Sequence, residues 1–103
     1  VDVTCTYIRG YPATINSPEQ SAFASQVAEE VCGTALLETD RTREMGAEDF
    51  SYLLEKRPGC YLFLGQGEGA AWHNPAFDFN DEVSPVGASF FARLVERAQP
   101  LEQ

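Results

Sequence analysis

Basic side chains are scarce in this sequence. Seven Lys and Arg residues stand against sixteen Asp and Glu residues, which gives a formal net charge of −9 over 103 residues. Nucleic acids and anionic membrane surfaces are bound by basic patches, so we expect no nucleic acid and no membrane as a partner. The sequence also lacks an apolar run near the ~20 residues that a membrane-spanning helix needs.

Cysteine is sparse, and the number of cysteines is odd. The three residues are Cys5, Cys32 and Cys60, and their spacing includes no C-x-x-C pair. Such a set is not a disulfide framework, and it predicts buried thiols in a reducing compartment, which favours a cytoplasmic location. A catalytic cysteine would need an imidazole partner, and His73 is the single histidine of the sequence.

The length allows one domain at most, and the aromatic content of 12% is typical of a folded chain rather than a disordered one. An initiating methionine is missing, because the first residue is Val1. Val1 already belongs to a pattern typical of a strand. We therefore expect this sequence to be a portion of a longer protein.

The first third of the sequence predicts a strand and a helix. Residues 1–8 alternate apolar and polar side chains, as in a strand with one buried face. Ser17 and Pro18 are typical of a helix start, with Gln20 completing a capping box. Apolar residues then recur on one helical face until Gly33 ends the helix: Phe23, Ala24, Val27, Ala28 and Val31.

The remainder predicts helices that alternate with strands. We expect strands at 34–38 and 60–64, the second one buried on both faces, and a helix that begins around Gly46. Glu48 and Asp49 would occupy the first turn of that helix. A last helix would begin at Ser84-Pro85 and be stopped by Pro100. The inner faces would hold Phe50, Leu53 and Leu54 in the middle helix, and Phe90, Phe91, Leu94, Val95 and Ala98 in the last. This order predicts an α/β fold with helices packed on a small sheet.

The loops after the strand at 60–64 hold the best candidates for chemistry, because ligands of α/β sheets bind beyond the carboxyl ends of strands. His73 is a candidate metal ligand, although a lone loop histidine is also an ordinary surface residue. The acids Asp78, Asp81 and Glu82 could bind calcium, or they could form an ordinary solvated acidic loop. The glycines at 65, 67 and 69 lack the Lys-Ser/Thr of a phosphate loop, which favours a plain turn.

Four segments, taken in order, resemble one enzyme family. They are Gly-Tyr-Pro-Ala-Thr-Ile-Asn at 10–16, Met-Gly-Ala-Glu-Asp-Phe-Ser-Tyr at 45–52, Pro-Gly-Cys-Tyr-Leu-Phe-Leu-Gly at 58–65 and His-Asn-Pro-Ala-Phe-Asp-Phe-Asn-Asp-Glu at 73–82. The series is similar to the C-terminal part of the two-metal amidohydrolases, the group of hippurate hydrolase, N-acyl-amino-acid deacylases and auxin-conjugate hydrolases. These belong to the aminoacylase and carboxypeptidase clan of metallopeptidases.

The resemblance implies a domain plan. Residues 1–9 would be the last strand of a lid or dimerisation domain, 10–16 a hinge, and 17–103 the C-terminal part of a zinc-exopeptidase-like catalytic domain. The parent enzyme would be a homo-oligomer that uses a metal-bound water to hydrolyse the amide bond of N-acyl amino acids or related conjugates.

The resemblance also implies residue roles. His73 would be the last ligand to the metals, two divalent ions per full-length subunit, either zinc or manganese. Glu48, Asp49 and Asn74 would lie near the substrate or behind the ligands. The general base and the other ligands would lie upstream of this sequence, so no catalytic base is expected within the chain.

Two hypotheses remain open from the sequence. One is a portion of a metal-dependent amidohydrolase that is inactive by itself, and the other is a small acidic binding domain without catalysis. An upstream reading frame with metal-binding His and Glu residues would support the first. A start codon directly before Val1 would support the second.

Overall fold

The structure, a computed structural model, describes residues 1–101 and contains three α-helices. Helix α1 spans Pro18–Cys32, α2 spans Phe50–Lys56 and α3 spans Ser84–Ala98. Short 3-10 helices occupy Thr34–Leu36 and Asp81–Val83. No helix within this range is long and apolar enough to cross a membrane.

Helices α1 and α3 pack on each other and carry the small core. Val27 is fully buried and Ala24 nearly so, which confirms the apolar face predicted for α1. At the rim, the Glu30 carboxylate of α1 accepts from the Arg93 guanidinium at 2.7 Å and lies 3.2 Å from that of Arg97. Because these ion pairs are exposed, they orient the helices more than they stabilise them.

The ends of α1 are set by its local sequence. Pro18 occupies the first turn, as predicted, because its fixed φ suits that position. Gly33 follows the helix at φ +81°, a left-handed conformation that glycine adopts without steric cost. The predicted capping box is wrong, since the Ser17 side chain makes no cap hydrogen bond. Its Oγ instead accepts from the Gly59 amide at 3.1 Å.

The small sheet predicted from the sequence is wrong for this chain, because residues 1–101 contain no β-strand. Residues 1–8 are extended and exposed, without a neighbouring strand to pair with. Residues 34–36 form a 3-10 turn closed by the Leu36 amide on the Gly33 carbonyl at 3.3 Å. Residues 60–64 form no regular element, and Tyr61 among them bonds to the Asn16 side chain rather than to a strand.

Several predicted buried positions are exposed for the same reason. Without a sheet to cover them, Leu53 of α2 and both Phe91 and Val95 of α3 face solvent. Leu62, Phe63 and Leu64 of the supposed two-sided strand are also exposed. Among the thiols, Cys5 is exposed, whereas Cys32 and Cys60 are half-buried, so the prediction of three buried cysteines is wrong at Cys5.

A pair of polar residues anchors the segment that follows α2. The Asn16 side chain donates to the Tyr61 carbonyl at 2.9 Å and accepts from the Tyr61 amide at 2.8 Å. The Ser17 amide donates to the Gly59 carbonyl at 2.9 Å. A Cβ at Gly59 would lie 3.1 Å from Cδ2 of Leu54, so a larger residue there would make the Leu54 side chain shift by a few tenths of an ångström. Together these contacts position α2 and residues 59–61 beside the start of α1.

Candidate functional site

His73 lies in a tight turn that Asn74 organises. The Asn74 amide donates to the Ala71 carbonyl at 3.1 Å, and the Phe77 amide donates to the Asn74 carbonyl at 2.9 Å. The Asn74 side-chain oxygen accepts from the Ala76 amide at 2.9 Å. Its side chain is therefore engaged within the turn, where it fixes the loop that carries His73.

Within residues 1–101, His73 is the single non-glycine residue with a positive φ, which is 64°. Side chains disfavour this left-handed region, and such strain persists where the surrounding structure imposes it. The imidazole is exposed and therefore accessible to a ligand.

Glu48 lies just before α2, with both carboxylate oxygens engaged. One accepts from the Phe50 amide at 3.2 Å, and the other accepts from the Tyr61 hydroxyl at 3.0 Å. These donors, the amide foremost, hold the pKa of Glu48 below its ordinary value, and the same hydroxyl bond raises the pKa of Tyr61. The carboxylate is thus a structural acceptor in its charged form.

The prediction that Glu48 and Asp49 lie in the first turn of a helix is wrong by a small margin. Asp49 is the N-cap residue of α2, and the helix begins at Phe50. Ser51, fully buried, donates through its hydroxyl to the Glu48 carbonyl at 2.6 Å. The acidic pair therefore precedes the helix, and the Ser51 hydroxyl fixes the backbone at Glu48 through this hydrogen bond.

A row of aromatic rings connects the Glu48 region with the His73 turn. Ring centroids lie 5.5 Å apart for Phe50 and Tyr61, 5.3 Å for Tyr61 and Phe63, and 5.8 Å for Phe63 and Trp72. Trp72 directly precedes His73. The row links α2 to the turn through Tyr61 and Phe63, with Phe63 and Trp72 half-exposed.

Two polar residues that no sequence pattern singled out, Asn16 and Gln66, shape this region. The Gln66 side chain donates to the Asp78 carbonyl at 3.2 Å and accepts from the Asn80 amide at 3.2 Å. The Asn80 side chain donates to the Gln66 carbonyl at 3.1 Å. A polar residue just after an apolar run, as Gln66 is, was the available signal for such a clamp.

Acidic residues on both sides of His73 in the sequence line a separate open groove. Its volume is about 490 Å³, and its acidic lining residues are Glu68, Asp78, Asp81 and Glu82. Neither His73 nor Glu48 is part of that lining. Across residues 1–101, no group of three or more His, Cys, Asp or Glu side chains is arranged to hold a metal ion. The described residues alone thus do not fit a metal, since a catalytic site takes about three protein ligands.

Comparison with known proteins gives a consistent result. The family model for Peptidase family M20/M25/M40 matches residues 1–97. The chain is 35% identical over 83 residues to a hippurate hydrolase of Campylobacter jejuni, covering 81% of this chain and 22% of that protein. It is 34% identical over 89 residues to thermostable carboxypeptidase 1 of Saccharolobus solfataricus, covering 82% of this chain and 22% of that protein.

A plant relative extends the set. The IAA-amino acid hydrolase ILR1-like 4 of Arabidopsis thaliana is 30% identical over 92 residues, covering 84% of this chain and 21% of that protein. The chain therefore spans about a fifth of the length of these curated relatives. No solved structure gives a significant match. M20 peptidases are metal-dependent. Since the family model runs through almost every element described above, this chain belongs to the M20/M25/M40 peptidase family.

Proposed function

We propose that this chain is the C-terminal portion of a longer metal-dependent amidohydrolase that cleaves the amide bond of N-acyl amino acids or related conjugates. The observation that carries the proposal is the family match over residues 1–97, together with relatives named hippurate hydrolase and IAA-amino acid hydrolase. Family membership also favours this hypothesis over the small acidic binding domain.

The proposed domain plan divides the chain near residue 16. Residues 1–9 would form the last strand of the lid or dimerisation domain, 10–16 the hinge, and 17–103 the catalytic portion. In support, residues 1–15 make no hydrogen bond with any other described residue, whereas Asn16 begins the anchored part. Residues 102 and 103 of this plan lie outside the described residues.

Within that enzyme, we assign His73 the role of a metal ligand. Support comes from its exposed imidazole, its left-handed backbone, and the turn that Asn74 closes around it. The other ligands and the general base would come from outside this chain, because its own described side chains do not assemble a metal site. Zinc and manganese, two ions per subunit, both suit imidazole and carboxylate ligands.

Glu48, Asp49 and Asn74 are proposed as positioning residues. Asn74 would orient the His73 turn through its bond to the Ala76 amide. Glu48 would hold Tyr61 through the hydroxyl bond. Asp49 occupies the N-cap position of α2 without a side-chain cap hydrogen bond, so its carboxylate would act on the substrate side of the site. Because both Glu48 oxygens already accept protein donors, a metal would have to displace those bonds to bind there.

The proposed location is the cytoplasm, and the proposed assembly is a homo-oligomer. The free thiols Cys5, Cys32 and Cys60 support a reducing compartment, hence the cytoplasm. A homo-oligomer built through the lid domain is proposed from the family resemblance. The partner would be a small-molecule N-acyl amino acid, with no nucleic acid and no membrane, as the net charge of −9 indicates.

The decisive experiment uses the full-length enzyme and its His73→Ala and His73→Asn variants. We expect hippurate hydrolysis to fall by about 100-fold or more in both, with lower bound metal, because one ligand is lost from a closed set. The Asn variant is the sharper one, since asparagine tolerates positive φ and preserves the turn. Metal content by elemental analysis accompanies the rates.

Glu68→Ala is the matched control, because Glu68 is an exposed loop residue before the same turn. It should retain both activity and metal. Full activity and full metal content in His73→Asn would show that His73 is an ordinary loop residue. A wild-type enzyme that leaves N-acyl amino acids intact would instead reject the proposed substrate class.

A further inference from the structure

Arg41 is held in place by two contacts of different kinds. Its guanidinium carbon lies 4.3 Å from the centroid of the Phe63 ring, and its Nη2 lies 2.6 Å from a carboxylate oxygen of Glu44. An aromatic face attracts a cation, and a planar guanidinium can rest on it while the N–H donors at its edge bind a carboxylate. The loop before α2 thus presents an oriented guanidinium.

Phe63 connects this guanidinium with the His73 turn. The Phe63 and Trp72 rings are nearly parallel, with 11° between their planes and 5.8 Å between their centroids. Trp72 directly precedes His73 in the sequence. Arg41 is therefore one aromatic ring away from the residue that precedes the proposed metal ligand.

The other basic side chains of residues 1–101 lack such a connection. Arg93 and Arg97 pair with Glu30 at the rim between α1 and α3. Within that range, four basic residues have neither an ion pair nor a ring contact: Arg9, Arg43, Lys56 and Arg57. Because the chain has a net charge of −9, an anionic substrate needs a local cation, and Arg41 is the cation that the structure connects to the His73 turn.

We propose that Arg41 binds the carboxylate of the N-acyl amino acid and makes the enzyme prefer such acids to their uncharged amides. This role rests on the proposed function, which supplies a substrate with a carboxylate close to the amide bond that is cleaved. Guanidinium and carboxylate match in shape, and hydrogen bonds between charged groups are about twice as strong as neutral ones. The Arg41–Glu44 contact shows that a carboxylate reaches this guanidinium.

Glu44 can stay in place when the substrate binds. A guanidinium carries N–H donors on three nitrogens, and Glu44 engages Nη2. Elsewhere in this chain one guanidinium holds two carboxylates, because Nε of Arg93 donates to Glu30 at 2.7 Å and its Nη1 donates to Glu96 at 3.1 Å. The substrate carboxylate can join Glu44 on Arg41 in the same way.

The test uses the full-length enzyme with two substrates, hippurate and its amide, in which a neutral carboxamide replaces the carboxylate. For Arg41→Gln we expect the KM for hippurate to rise about tenfold, since a charged hydrogen bond to the substrate is lost. The kcat for hippurate, and both constants for the amide, should change by less than about twofold, because the lost contact is equal in ground and transition states. Arg41→Lys keeps the charge without the planar fork, so it should raise the KM for hippurate about threefold.

Arg43→Gln is the matched control, because it removes the same charge two positions along the same loop. Its KM for each substrate should stay at the wild-type value. A binding measurement adds a readout without turnover. The probe is 3-benzoylpropionate, in which a methylene replaces the hippurate nitrogen so that no amide can be cleaved. In calorimetric titration, Arg41→Gln should bind it about tenfold more weakly than the wild type or Arg43→Gln.

The outcomes separate this role from the proposed function. Hippurate hydrolysis that responds equally to Arg41→Gln and Arg43→Gln, or an equal loss for hippurate and its amide, would overturn the role of Arg41 in an enzyme that is still an amidohydrolase. Binding of 3-benzoylpropionate that depends on Arg41, in an enzyme that cleaves no N-acyl amino acid, would keep the carboxylate site and reject the proposed function. An enzyme that neither binds this probe nor cleaves hippurate would overturn both.

Discussion

Asn16 performs at the level of one side chain what a neighbouring strand performs in a sheet. Its amide group satisfies both the amide and the carbonyl of Tyr61, at 2.8 and 2.9 Å. Replacing it by alanine leaves two half-buried backbone groups without that partner. We expect Asn16→Ala to lower the free energy of unfolding by about 1–3 kcal/mol, measured by urea denaturation.

Gln26→Ala is the matched control for Asn16→Ala. Gln26 lies on the exposed face of α1, and its side chain makes no hydrogen bond to another residue of 1–101. Its loss should change stability by no more than about 0.5 kcal/mol. An Asn16→Ala variant as stable as Gln26→Ala would contradict the anchoring role of Asn16.

Glu48 gives the fold a specific response to acid. Because the Phe50 amide and the Tyr61 hydroxyl lower the pKa of Glu48 in the folded chain, its charged form stabilises the fold above the unfolded pKa. That contribution is lost as pH falls through the lowered folded pKa. In Glu48→Gln, the decrease in unfolding free energy between pH 7 and about pH 3 should be smaller than in the wild type.

The control for the acid response is Glu55→Gln. Glu55 is an exposed residue of α2 whose carboxylate has no hydrogen-bond partner among the described residues. This variant should retain the wild-type pH dependence of the unfolding free energy. If both variants lose the same part of the acid response, the Glu48 contacts are not its source.

At the scale of elements, the core lies between α1 and α3, and substitutions of two valines test how much its packing stabilises the fold. Val27 of α1 is fully buried, whereas Val95 of α3 is 57% exposed. Val27→Ala removes buried methyl groups and leaves a cavity, so it should cost about 2 kcal/mol. Val95→Ala, the same chemical change, should cost less than about 0.5 kcal/mol. Comparable losses on thermal or urea unfolding would show that the helices pack through other faces.

The helices were predictable because their signals are local. Ser17-Pro18 and Gly33 frame α1, and Ser84-Pro85 opens α3, each through backbone preferences that need no distant partner. The predicted strands do not form among the described residues, because a strand needs a neighbouring strand to supply its hydrogen bonds. The alternation at residues 1–8 and the apolar run at 60–64 specify extended backbone, but within the described chain they find no strand partner.

The candidate site was predictable in part. The resemblance implies that Asn74 lies near the site, and in the structure its side-chain oxygen accepts from the Ala76 amide within the His73 turn. The anchor at Asn16 and the clamp at Gln66 join residues 45 and 14 positions apart in sequence. Local patterns carry no information about such separations, so these side chains were missed. The metal-ligand role of His73 stays a prediction.

The whole molecule is more open than a chain of its length normally is. Its radius of gyration is 17.8 Å, against about 13 Å for a compact domain of 100 residues. Residues 1–15 make no hydrogen bond with the other described residues, and Tyr11 contacts the ring of Tyr52 in α2 at a centroid distance of 5.5 Å. Apolar side chains are exposed in all three parts of the chain, among them Ile15, Leu53 and Phe91. The packing within residues 1–101 is therefore concentrated in the α1–α3 pair and at the Asn16 anchor, and much apolar surface stays exposed.

The metal and activity prediction belongs to this scale, because it depends on how many ligands the whole chain brings together. We expect the 103-residue chain by itself to bind Zn²⁺ or Mn²⁺ weakly and to leave hippurate intact. A catalytic zinc takes about three protein ligands, whereas residues 1–101 contain no group of three His, Cys, Asp or Glu side chains arranged around one point. A single imidazole such as His73 holds a divalent ion with modest affinity, since the remaining positions stay with water. Isothermal titration of the chain and of His73→Asn should therefore give weak binding in the first and weaker binding in the second. Hippurate hydrolysis should remain at background in both. Tight, stoichiometric metal binding that survives His73→Asn would contradict the prediction, because it would require a ligand set elsewhere in the chain.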